Sequence, residues 1–166
     1  MKPFSHEAKD DGAHAICQLN LPMAQLQLER DREGRITVYD RWRGRHIVLT
    51  PEEWVRQHFA SMLVSHKGFP SGRIANEISI ELNSTARRCD TVVYDDARRP
   101  LMIVEYKAPS VAITQVVFNQ IARYCSVLRP RYIAVSNGLR HFCCRLNEST
   151  GSYEFLADIP HWNQIV

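Results

Sequence analysis

The sequence has no apolar run approaching the roughly 20 residues that a membrane-spanning helix requires. Met1 to Ala15 is polar and lacks the apolar stretch of a secretory signal, so the expected compartment is the cytoplasm. Cysteine is sparse and unpatterned. The five residues (Cys17, Cys89, Cys125, Cys143, Cys144) are odd in number and form no C-x-x-C, which argues against a disulfide framework or a zinc site and for reduced, buried thiols. No G-x-S-x-G, H-E-x-x-H or glycine-rich phosphate loop occurs, removing esterase, zinc-protease and nucleotide-binding readings. Repeats and low-complexity segments are also missing. Neither sign of charge dominates, since 21 Lys and Arg face 18 Asp and Glu. The net charge of +3 tilts only weakly toward polyanionic partners, and the arginine clusters at 41–45, 87–88, 98–99 and 129–131 add slightly to that, with solvated faces as the competing reading.

What is present fits one well-cored domain of 166 residues, 45% of them apolar. Residues 1–20 are expected to form a loose arm, and residues 21–166 a single domain. Short strand-like pieces at Met23–Leu28, Ile36–Tyr39 and His46–Leu49 predict a small antiparallel meander over 21–49. Thr50, Pro51 and Glu53 supply a cap, a first-turn proline and a capping-box acid. They open a helix over 51–64 whose apolar face is Trp54, Val55, Phe59, Met62 and Leu63. Strands are expected at 74–82, 91–94 and 101–106, then a helix from Ala112 to Leu128 closed by Pro130, with stripe Val116, Val117, Ile121, Cys125 and Leu128. Strands at 132–135 and 141–146 flank the turn dipeptide Asn137-Gly138. The core is thus expected over 50–146, with a last strand within 152–158. The fold class this predicts is α/β, a mixed central sheet flanked by helices with the meander attached.

The chemistry concentrates between Cys89 and Lys107. Leu101, Met102, Ile103 and Val104 form a four-residue apolar run, as in a strand covered on both faces. Alternation puts Glu105 and Lys107 on one side of it, and such charges must be paired, metal-bound or at a cleft mouth. If 95–100 is a hairpin turn, Asp90 comes to lie beside Glu105. Two carboxylates and a lysine make an oxygen-rich site suited to Mg²⁺ or Mn²⁺, a metal that can acidify water and neutralise phosphoryl charge. Lys107 would then hold water or stabilise the transition state. Glu77, opening the strand before, is placed to be a third carboxylate or a surface residue. The competing reading is a structural Glu105–Lys107 ion pair with Asp90 as a turn cap, and the spacing alone does not choose.

The stretches Arg88 to Tyr94 and Ile103 to Pro109, holding Asp90, Glu105 and Lys107, resemble motifs II and III of the PD-(D/E)xK nucleases. Thr50 to Arg56 and Glu77 to Gly138 are similar to the N-terminal nuclease domain of type I restriction enzyme R subunits. Gln120 and Tyr124 match that family's Q-x-x-x-Y helix motif, one turn apart on one face. The resemblance implies Asp90, Glu105 and the Tyr106 carbonyl as ligands of Mg²⁺ or Mn²⁺ and Lys107 as the catalytic lysine. It also implies contact with DNA or support of the site by Gln120 and Tyr124, with Arg88 alongside, and restriction-modification subunits as partners. One departure stands out: the phosphate-binding loop of the R-subunit motor does not occur here, so ATP-driven restriction is not carried over. The expected activity is metal-dependent hydrolysis of DNA phosphodiesters. The alternatives are a catalytically silent nucleic-acid-binding or assembly module with the same fold, and a structural ion-pair cluster without a nucleic-acid role.

Overall fold

The computed structural model of the chain describes residues 16–82 and 85–165. Chain order is β1 (Leu28–Arg30), β2 (Ile36–Asp40), β3 (Arg45–Val48), α1 (Pro51–Ser65), β4 (Ile74–Leu82), β5 (Thr85–Tyr94), β6 (Pro100–Tyr106), α2 (Gln115–Leu128), β7 (Tyr132–Ser136), β8 (His141–Asn147) and β9 (Ser152–Leu156). The first three strands form an antiparallel meander. The other six form one sheet in sequence order. Every neighbour in that sheet is antiparallel except β6 and β7, which run parallel because α2 crosses over between them. The mixed sheet, its two helices and the attached meander are the fold class expected from the sequence. Among the described residues, no helix is long and apolar enough to cross a membrane.

Thr50 caps α1 by accepting the Glu53 N–H at 3.1 Å, and Pro51 occupies the first turn. Glu53 does not complete the capping box. Its carboxylate instead takes Gln57 at 2.8 Å, Arg43 at 3.0 Å and Arg56 at 3.4 Å. The meander and the sheet cover α1 from different sides, so Arg56, Gln57 and His58 are buried along with the predicted apolar face. Phe59 reaches the centre of the sheet and meets the Tyr106 ring at 5.6 Å. On the opposite face Val117 and Ile121 of α2 pack on Ile133 and Val135. Both faces of β6 and β7 are therefore covered, which explains the unbroken apolar runs in both strands. It also explains why the adjacent Cys143 and Cys144 are both buried; all five cysteines are free thiols.

Several boundaries differ from expectation. Met23 to Gln27 is outside any strand, and the meander's first strand is only Leu28–Arg30. Strand β5 starts at Thr85 and not at 91, because it extends a long hairpin with β4. Helix α2 starts at Gln115 instead of Ala112. The preceding connector is held by other bonds: Lys107 N–H to Ser136 O at 2.9 Å and Asn137 Nδ2 to Val111 O at 2.9 Å. Val116, expected on the buried stripe, is 74% exposed.

The arm assignment for 1–20 also changes. Residues 1–15 lie outside the described residues, but 16–20 are tied down. Trp54 Nε1 donates to Cys17 O at 2.9 Å, Asn20 N–H donates to Gly138 O at 2.8 Å, and Leu19 packs against the core. His141 Nε2 donates to Asn20 O at 2.8 Å, which leaves Nδ1 to accept from Ser136 Oγ. Beyond the last strand, Ile159 and Ile165 return to the core, and Trp162 packs edge-on against Phe69. His141 and Trp162 thus serve packing, and Phe142 joins Phe118 and Phe155 in an edge-to-face group.

Candidate active site

The hairpin that carries the site is closed by Asp95, whose carboxylate accepts the Arg99 backbone N–H at 2.8 Å and the Arg99 side chain at 2.9 Å. From there β5 and β6 pair antiparallel, with Thr91 opposite Val104 and Val92 opposite Ile103. Continuing that register brings Asp90 level with Glu105. The backbone ladder is not extended to this position. Instead Asp90 Oδ2 accepts the Tyr106 N–H at 2.9 Å, so its carboxylate lies in the plane of the sheet, between the strands.

Glu105 faces α2. Its Oε1 accepts from Lys107 Nζ at 3.0 Å and from Gln120 Nε2 at 2.9 Å, so the strand, the residue beyond its end and the crossover helix converge on one oxygen. The other oxygen, Oε2, is buried and has no partner among the described residues. Burial, followed by the nearby Asp90 charge, pushes the Glu105 carboxyl up to about 7. Asp90 is also raised, again chiefly by burial, with the Tyr106 N–H and Arg56 pulling the other way. Burial alone would lower Lys107, but pairing with Glu105 outweighs it and keeps the ammonium protonated.

The remaining candidates divide. Glu77 is in register with Asp90 on the other side of β5, yet one of its oxygens takes Arg56 at 2.5 Å and the other takes Arg88. Those arginines outweigh burial and hold its carboxyl below the usual range. The expected third ligand is thus an ion-pair partner in this structure and not a free carboxylate. Arg88 is exposed and meets the site through Glu77. Tyr124 lies in α2 one turn after Gln120, and its side chain is outside the described residues.

Two residues of α1, both within the stretch Thr50 to Arg56 that carries the resemblance, were not assigned to the site from the sequence. Arg56, only 4% exposed, lies against Glu53, Glu77 and Asp90 and over the Tyr106 ring. Glu52 sits in the first turn, close enough to Asp90 and Lys107 for its carboxyl to be raised by burial and then by Asp90. The similarity of Thr50 to Arg56 to the family's sequence was the available signal for both.

An oxygen-only donor set suits a hard divalent cation. Six carboxylates (Asp40, Glu52, Glu53, Glu77, Asp90, Glu105) are linked through this region to four cations (Arg43, Arg56, Arg88, Lys107). With all ionised, two negative charges are in excess among these described groups. Among the described residues no three His, Cys, Asp or Glu side chains gather to hold a metal alone. Asp90 and Glu105 would share it with a backbone carbonyl and water, the usual manner for Mg²⁺.

The family described as type I restriction enzyme R protein N terminus matches residues 51–160. Among solved structures, the chain is similar to a fragment described as the HsdR subunit of a type I restriction enzyme from Vibrio vulnificus YJ016. Identity is 16% and the TM-score 0.45, over 62% of this chain and 22% of that one. A search among curated proteins gave no match.

Proposed function

Because the chain belongs to the type I restriction enzyme R protein N-terminus family, we propose that it is a metal-dependent DNA endonuclease domain that hydrolyses phosphodiester bonds. The observation that supports this best is the buried Glu105 carboxylate, with one oxygen held by Lys107 and Gln120, the other unpartnered among the described residues, and Asp90 alongside. A buried carboxylate oxygen left without a donor costs about 1–3 kcal/mol, a cost that a bound cation would offset.

Asp90, Glu105 and the Tyr106 carbonyl would hold Mg²⁺ or Mn²⁺, which when bound acidifies water and draws charge from the phosphoryl group. The protein's own groups do the rest. Gln120 fixes the Glu105 carboxylate by donating to Oε1, and Oε2 would be left for the ion. Pairing with Glu105 keeps Lys107 protonated, which suits it to act as a donor. It donates, orienting the attacking water and offsetting charge on the phosphoryl oxygens. Arg88, at the exposed edge, contacts the DNA backbone, and Tyr124 follows Gln120 on the same helix. DNA is the expected partner, with restriction-modification subunits as further ones, in a reducing cytoplasm that keeps the cysteines as thiols.

Purified protein should nick supercoiled plasmid with Mg²⁺ or Mn²⁺, and Asp90→Ala and Glu105→Gln should not. Equal cleavage by the variants would sink the proposal. Salt-dependent DNA binding that persists in chelator, without cleavage under any metal, would assign a silent binding module instead.

A further inference from the structure

In β5, Asp90 pairs with neither neighbouring strand. On the β4 side, Asn76 pairs with Thr91 and Ile78 with Cys89, while Glu77 and Asp90 between them are unpaired although no residue is inserted. At that gap Glu77 has a φ of 59°, a left-handed conformation inside a strand for a residue with a Cβ. Such a conformation persists only where its surroundings enforce it. Here the enforcement is visible: Glu77 is gripped by buried Arg56 at 2.5 Å and by Arg88. Arg56 is itself fixed by Glu53 of its own helix.

We propose that the Arg56–Glu77 ion pair is a positioning device for Asp90. By holding Glu77 left-handed it interrupts the β4–β5 ladder opposite Asp90. The freed strand turns the Asp90 carboxylate sideways, onto the Tyr106 N–H. Arg56 stands 3.5 Å from the other Asp90 oxygen, beyond the usual length of a charge-assisted bond, so it guides that oxygen without capping it. Helix α1 thereby sets a residue two strands into the sheet, through one guanidinium. Arg56 is a positioning residue and not a catalytic one. The inference rests on the nuclease reading only in taking Asp90 as a metal ligand.

The test compares Arg56→Met, Arg56→Lys and Glu77→Gln with wild type by two readouts. Amide hydrogen exchange measures the Tyr106 N–H to Asp90 bond with no metal or substrate. Its protection should fall at least about tenfold in Arg56→Met and Glu77→Gln, while the Ala134 amide in β7 keeps its protection. Arg56→Lys should recover part of it. Mn²⁺ titration should show a loss of about 10–100-fold in affinity for the same two variants. Glu77→Gln keeps the side-chain shape at a partly exposed position, so it remains informative if Arg56→Met fails to fold. Unchanged Tyr106 protection in folded variants, or equal loss across the whole sheet, would overturn the proposal. Wild-type protein that binds no Mn²⁺ would overturn the nuclease reading instead, leaving the exchange data to decide the positioning.

Discussion

Gln120 donates to the Glu105 oxygen that Lys107 already holds, and so leaves the second oxygen of that buried carboxylate without a donor among the described residues. A divalent cation that fills this position should stabilise the fold by mass action. At a hundred times its dissociation constant the gain is about 2.7 kcal/mol, or roughly 5–10 °C in Tm for a chain of this size. Thermal unfolding with Mn²⁺, against a chelated control, checks this. Asp90→Ala and Glu105→Gln should lose the shift, and a shift of the same size in both would rule out the site.

Stability should also fall with rising pH in a defined window. Glu105 moves from an ordinary 4.5 to about 7 on folding. Between those values the folded chain holds a proton that the unfolded chain has lost, so stability declines as pH rises through the window, and Asp90, raised too, adds to the slope. Urea midpoints at pH 5 and pH 8 should therefore differ more for wild type than for Glu105→Gln. Saturating Mn²⁺ should flatten the wild-type slope, because the ion takes the proton's place.

Lys107→Ala should lower kcat for plasmid nicking by about 10²–10³-fold, the usual cost of losing one donor aimed at developing charge. Mn²⁺ affinity should change far less, since Lys107 is a donor and not a ligand. A large drop in metal affinity with kcat preserved at saturation would reverse that assignment.

Gly138 turns the β7–β8 hairpin with a φ of 82°, and a Cβ there would lie 2.6 Å from Leu19 Cδ2 and 3.0 Å from Val55 Cγ2. Gly138→Ala should cost about 1–3 kcal/mol in urea denaturation. Pairing it with Leu19→Ala should return part of that loss if the segment at 16–20 is docked in solution.

Much of this arrangement was legible in the sequence. Thr50 and Pro51 announced α1, Asn137-Gly138 announced the β7–β8 hairpin, and strand alternation put Glu105 and Lys107 together. What stayed hidden has physical causes. Arg56 reads as a surface residue because burial of an arginine depends on acids from three separate segments, none of which periodicity reveals. Strand β5 begins in a polar stretch because a projecting hairpin arm need not alternate. Glu53 fits a capping box perfectly well as a pattern, yet Arg43 and Arg56 compete for its carboxylate and win. Glu77 looked free because neither guanidinium that engages it is near it in sequence.

The two acids, the lysine and the amide that meet at Glu105 lie in one uninterrupted length of chain, from Asp90 through Lys107 to Gln120, while Arg43, Glu53, Arg56 and Glu77 all lie upstream of it. Reacting groups and counter-ions are therefore separable modules. A graft that moved only 90–120 into another sheet would import the acids and the lysine but leave their electrostatic ballast behind. Such a chimera should show its defect first as a misplaced proton on Glu105, before any loss of fold.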